Sequence, residues 1–218
     1  MHIDDIARLT TLLPVIVYFS FKKKGKLLQA IVFFNTFYLV YDFLYYLIRN
    51  FDKEMGDYFN LFYVPLEYLL IYYFFRILYK SKSSLKFLNY TVLFFLTFWA
   101  VSSYFIPVST FNSILNGLES LIVIILTLIY FYEEIKAPQS LFIYSQPQFW
   151  GVIGFFLFFA GSFFVFLYKQ TYKQEELFRE QYSYIHSSFF ILRNLLFSIA
   201  LFIRPEKVKI PNERSSFT

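Results

Sequence analysis

Residues 111–132 read FNSILNGLESLIVIILTLIYFY, an unbroken apolar run that carries one carboxylate, Glu119. A helix crosses the ~30 Å hydrocarbon core of a bilayer with roughly 20 residues, and this stretch has that length. A membrane strand would instead alternate polar and apolar side chains over about ten residues. The run is therefore predicted to be a membrane helix. Glu119 is costly there, because an ionised side chain near the centre of such a helix loses about 2.5–3.5 kcal/mol on insertion. Asn112, Asn116 and Glu119 recur at i, i+4 and i+7, which places all three on one helical face.

Outward from this segment the pattern repeats. Apolar runs cover about 6–21, 27–48, 58–79, 87–108, 149–168 and 182–203, separated by short polar turns. The expected fold is an all-α, polytopic membrane helix bundle of seven transmembrane helices over 1–203. A basic cytoplasmic tail is expected over 204–218. Composition agrees: 58% of the 218 residues are hydrophobic and the mean hydropathy is +0.51, more apolar surface than a soluble domain of this size could cover. Short connections predict antiparallel packing of successive helices. The first run is short, begins near Arg8 and contains Pro14. Met1-His2-Ile3-Asp4-Asp5 lacks the basic leader of a cleavable signal, so that run is expected to be retained.

Basic residues predict the orientation. Lys22, Lys23, Lys24 and Lys26 follow the first run, Lys80, Lys82 and Lys86 the third, Lys136 the fifth, and Arg204, Lys207, Lys209 and Arg214 the seventh. The opposite loops mix fewer cations with acids. The positive-inside rule then puts the N-terminus outside and the C-terminus in the cytoplasm, in a bacterial inner membrane. The same distribution accounts for the net charge of +5 without nucleic acid.

Four runs carry ionisable or amide side chains at helical spacing. Asn35 and Asp42 lie seven residues apart, as do Asn60 and Glu67 (with Tyr63 between them), and His186 and Arg193 (with Asn194 adjacent). Seven residues return a helix to within about 20° of the same azimuth. Together with Asn116 and Glu119, these residues are expected to face one outward-opening cavity that binds a small ligand or a proton. The alternative is a structural network in which Arg193 is neutralised by Glu67 or Glu119 and the amides bridge helices. Three carboxylates against one arginine leave surplus negative charge, which favours the cavity.

Other features constrain chemistry. The absence of cysteine excludes disulfides, thiolate metal sites and cysteine nucleophiles. Two histidines, His2 and His186, are too few for a multi-histidine zinc site, so no metal and no cofactor are expected. No G-x-S-x-G motif is present, and no lysine in the seventh run could form a retinal Schiff base; no enzymatic activity is expected. Pro65 frees a backbone carbonyl in the third run and is read as a helix kink. Gly151, Gly154 and Gly161 are expected to allow close helix packing, Tyr144 and Trp150 to anchor an interface, and Glu133-Glu134 to form a solvated pair near Lys136. The abundant Phe and Tyr are encoded by A/T-rich codons and are not read as an aromatic ligand box.

Pro65-Leu66-Glu67-Tyr68, Glu119, Pro147-Gln148-Phe149-Trp150 and Arg193-Asn194 resemble features of a group of small, uncharacterised bacterial seven-helix integral membrane proteins. The plan is also similar to the membrane part of bacterial seven-helix sensor receptors. That resemblance implies a receptor-like sensor of a small polar or cationic ligand, coupled to a cytoplasmic signalling protein. No output domain is expected after the seventh run. A small-solute or proton-coupled transporter and an accessory membrane subunit are the alternatives.

Overall fold

The computed structural model describes residues 3–21, 25–138, 142–168 and 176–203. The predicted tail, 204–218, and the basic residues Lys22, Lys23, Lys24, Lys169 and Lys173 lie outside the described residues. Eight α-helical segments are found among the described residues: α1 (Ile3–Thr10), α2 (Leu12–Phe21), α3 (Lys26–Phe51), α4 (Lys53–Leu78), α5 (Lys82–Phe105), α6 (Val108–Lys136), α7 (Pro147–Tyr168) and α8 (Glu176–Phe202). The last six are long and apolar enough to cross a membrane. Their outer faces expose large apolar side chains such as Phe33, Phe94 and Phe164, the surface that lipid would cover.

The first predicted span is two helices rather than one. Pro14 has no N–H to give the carbonyl of Thr10, four residues back, and its ring crowds that carbonyl. The helix breaks there, and the Thr11 N–H turns back to the Arg8 carbonyl at 3.1 Å. The Asn194 amide of α8 reaches into the break, donating to Thr10 Oγ1 at 3.0 Å and lying 3.4 Å from Thr11 Oγ1. Asp4 accepts from Ser183 and Ser187 at one end of α8, and Phe21 meets Phe202 edge-on at the other. The broken segment therefore runs parallel to α8 over the same height.

Successive long helices are antiparallel neighbours. Tyr41 donates to Asn60 Oδ1 at 2.6 Å and Tyr38 packs on Tyr63, which sets the α3–α4 register. One residue, Asp52, joins this pair: it ends α3 and its carboxylate caps α4 by accepting from the N–H groups of Glu54 and Met55. Three bonds set α4 against α5: Trp99 to Leu61, Tyr68 to Thr91 and Tyr72 to Asn89.

The first of these explains Pro65. A proline at 65 leaves the Leu61 carbonyl without its helical donor, and a bare carbonyl in hydrocarbon costs several kcal/mol. The Trp99 indole N–H supplies the missing bond at 3.1 Å. The kink is a joint between helices, so Pro65 shapes the bundle and not a ligand contact.

The three glycines of α7 allow close packing, but against different neighbours. A Cβ at Gly151 would meet Phe74 and Ile31, at Gly154 it would meet Phe197, and at Gly161 it would meet the Phe189 ring. The expected solvated pair, Glu133 and Glu134, is instead drawn inward. Glu134 is buried and lies 3.6 Å from Lys80 Nζ, while Glu133 accepts from the Lys80 N–H. These acids tie the end of α6 to the α4–α5 corner because the cation there is within reach and the surroundings are apolar.

Replacing Trp99 with Phe is expected to destabilise the protein by about 1–3 kcal/mol by orphaning the Leu61 carbonyl. In a Pro65→Ala background, where residue 65 regains its N–H, the same change should cost markedly less. Thermal unfolding of the four proteins in one detergent measures the difference.

Candidate functional site

A cavity of about 390 Å³ lies inside the bundle, toward the end where α3 finishes and α8 begins. Its walls come from α1, α3, α4, α6, α7 and α8. Of the residues expected there from sequence, Asp42, Asn60, Glu67, Asn116, Glu119 and His186 line it. The antiparallel register puts Glu67 opposite Phe34, so it sits eight residues below Asp42, about 12 Å at 1.5 Å per residue. Asp42 thus stands toward the mouth and Glu67 on the floor.

The mouth is charged and partly open. Arg8 Nε lies 3.6 Å from Asp42, with 60% of the arginine side chain exposed. Arg49 donates to the Tyr45 hydroxyl at 2.8 Å. His186 is stacked on Tyr182, lies against Phe158 and Phe166, and has Nδ1 3.4 Å from Ser162 Oγ.

The floor differs. Glu67 is 6% exposed and Glu119 is 2% exposed, and among the described residues neither forms an ion pair. Glu119 Oε1 is buried without a hydrogen-bond partner among the described residues, and the buried Tyr63 hydroxyl faces Glu67 and Tyr38 without a short bond to either. Orphaned polar atoms of this kind are rare inside proteins and call for an explanation by function, water or an ion. Tyr41 and Tyr63 lie with ring centroids 3.9 Å apart and form an aromatic wall above the acids.

Three expected members are elsewhere. Asn35 is fully buried, with its amide donating to the Ile31 carbonyl of its own helix at 2.8 Å; it does not line the cavity. Asn194 also lies outside the cavity, committed to the helix break at Thr10 and Thr11. Both carbonyl oxygens of these amides lack a partner among the described residues. Sequence spacing put each on the right helix but not in the cavity, because a helix of this bundle meets neighbours on more than one side.

Arg193 is the largest departure. It is fully buried, yet it pairs with neither Glu67 nor Glu119, and its three nitrogens have no hydrogen-bond partner among the described residues. Its guanidinium instead lies 4.3–5.8 Å from the ring centroids of Phe34, Tyr38, Phe158, Phe190 and Phe197. Desolvated cation–π contacts are worth about 2 kcal/mol or more each, which offsets part of the burial cost. Tyr38 and Phe158 touch the guanidinium and also line the cavity, so they form a wall between Arg193 and the space above Glu67. The expected neutralising ion pair is replaced by an aromatic cage.

Arg8, Tyr38, Tyr41, Tyr182 and Phe158 were missed as lining residues. Tyr38 had a usable signal, since it falls between Asn35 and Asp42 on one helical face. Arg8 had another: an arginine at the edge of a membrane run seeks an acid. Phe158 had none, being one phenylalanine among 33.

The fold and cavity together define a helical bundle with six helices able to cross a membrane and a polar chamber among them. No protein-family model, curated protein or solved structure matches this chain.

Because Arg193 is held by rings and not by a direct ion pair, an apolar side chain of similar length should fill its place once the floor charge is kept constant. In a Glu67→Gln background, which keeps the net charge of the native floor, Arg193→Met is expected to leave the melting temperature unchanged or raise it, since a well-packed apolar group replaces a desolvated charge. A fall in melting temperature equivalent to about 3–5 kcal/mol, the loss seen when one partner of a buried pair is removed, would show a hidden ion pair instead.

Proposed function

We propose that this protein is a receptor-like membrane sensor that takes a small polar or cationic ligand into the cavity from outside the cell. The observation that carries this reading is the floor: two buried carboxylates, one with an unpartnered oxygen among the described residues, facing a space large enough for a small molecule. The broken first segment counts as a crossing in this reading, because it follows α8 from Asp4 to Phe21. Seven spans then put the two termini on opposite sides. The cavity mouth lies at the end of the bundle away from Lys80, Lys82 and Lys136, so the positive-inside rule turns it outward.

Below the floor, Phe34, Phe74, Phe75, Phe155 and Phe197 pack ring against ring. A chamber backed by an aromatic plug of this kind suits a sensor. Ligand contacts that differ between two packings of α4, α6 and α8 would shift the bundle from one to the other. The basic face around Lys80, Lys82 and Lys136 would carry that shift to a cytoplasmic signalling partner or an anionic lipid surface.

A second reading, a proton-coupled or small-solute transporter, is favoured by the pairing of two buried acids in one chamber. It requires the aromatic plug to open.

The native chain has no cysteine, so single cysteines report cleanly on access. With a membrane-impermeant maleimide on intact cells, Asn116→Cys and Tyr182→Cys should be labelled, while Ser83→Cys at the opposite end should react only after the cells are opened. Protection of Asn116→Cys from both sides would remove the outward cavity. In proteoliposomes, solute uptake that is lost in Glu67→Gln and Glu119→Gln would replace the sensor by the transporter.

A further inference from the structure

The charges around the floor narrow the ligand class, on the reading that the cavity is a binding site. Glu67 and Glu119 bring two acids to one end of the chamber. Arg193 stands behind the Tyr38–Phe158 wall at the height of Glu67 and supplies one positive charge without contacting either acid. Arg8 is engaged with Asp42, and Arg49 with Tyr45, both toward the mouth. When both floor acids are ionised, one negative charge is left without a counter-charge in a low-dielectric space, an arrangement that is costly until a cation enters.

The shape of the site selects among cations. Among the described residues no group of three or more His, Cys, Asp or Glu could hold a metal ion. A cavity of about 390 Å³ is also far larger than a bare ion, since one water occupies about 30 Å³ of liquid. What surrounds the acids is aromatic: Tyr38, Tyr41, Tyr63 and Phe158 line the same space. Ring faces attract cations that shed water easily, and alkylammonium groups do so more readily than metal ions. Glu119 Oε1, unpartnered among the described residues, and the Tyr63 oxygen, which keeps acceptor capacity while its O–H faces Glu67, line this space and can accept N–H donors.

We infer that the cavity floor is a site for a monovalent organic ammonium ion, with its charged head at Glu67 and Glu119 and its carbon chain against the tyrosine and phenylalanine wall. Glu119 and Tyr63 accept from the ammonium, Glu67 supplies the second charge contact, and Arg193, kept behind the rings, limits the floor to a single added positive charge.

The test uses the full chain in lipid nanodiscs with n-butylammonium as probe, and 1-butanol and sodium chloride as matched controls. Butylammonium should raise the melting temperature in a saturable way, as binding to the native state requires. The two controls should not. Glu119→Gln should weaken the apparent affinity by about tenfold or more, and Tyr63→Phe, which keeps the ring, by a smaller factor. If Glu119→Gln does not fold, Tyr63→Phe carries the comparison alone. Equal stabilisation by 1-butanol, or an effect of butylammonium unchanged in these variants, overturns the ammonium assignment. Maleimide access to Asn116→Cys separates the two levels of inference. Labelling without any ammonium effect removes this proposal and leaves the outward cavity standing, whereas no labelling removes both.

Discussion

A carboxylate inside a membrane must be shared, because hydrocarbon offers it neither water nor donors. Most polar groups of this bundle meet that constraint locally. Tyr68 donates to Thr91, Tyr79 to the Leu126 carbonyl, Trp99 to the carbonyl that Pro65 strands, and Asn194 to the Thr10 and Thr11 hydroxyls at the break before Pro14. Near each proline a side chain from another helix is thus bonded to the preceding turn, and each bond sets the position of that helix. The constraint is left unmet for Glu119 Oε1 at the cavity floor, and also for the Asn35 and Asn194 carbonyls and the Arg193 nitrogens outside the cavity, among the described residues.

The two floor acids face a space closed mostly by rings. Glu67 and Glu119 project from α4 and α6 into a space that α3, α7 and α8 close with rings. Arg193, which could have closed the account with an ion pair, is turned into five aromatic faces instead. Its charge balances the site at a distance while its nitrogens stay out of reach of a ligand. A direct Arg193–Glu67 bridge would fill the floor and abolish the chamber. Separation of the two keeps the chamber open above Glu67.

The same logic distinguishes the two ends of the molecule. At the end bearing Lys80, acids and base meet: Glu134 is buried against Lys80, and Glu133 takes its N–H. Those acids are held to Lys80, so they clamp the end of α6 to the α4–α5 corner, although Glu133 Oε1 has no hydrogen-bond partner among the described residues. Glu119 stands on the same helix as that clamp and differs in having no cation in contact with it among the described residues. The sequence pattern around the two kinds of acid is similar, and burial alone does not separate them, since Glu134 is also 6% exposed.

Length and apolarity of the runs determined by themselves that α3 to α8 are membrane-length helices, because a bilayer demands about 20 apolar residues whatever the neighbours are. Seven-residue spacing likewise determined that Asn60 and Glu67 share one face of their helix, since periodicity is a property of one chain segment. Tertiary structure decided the rest. Pro14 broke the first span where Asn194 could cap the break, and rotation of α8 gave Asn194 to that break and Arg193 to the aromatic cage. Neither outcome is written in spacing, because the azimuth of a helix is set by the side chains that pack against it from other helices. Which polar group is paired and which is left open is therefore a property of the assembled bundle.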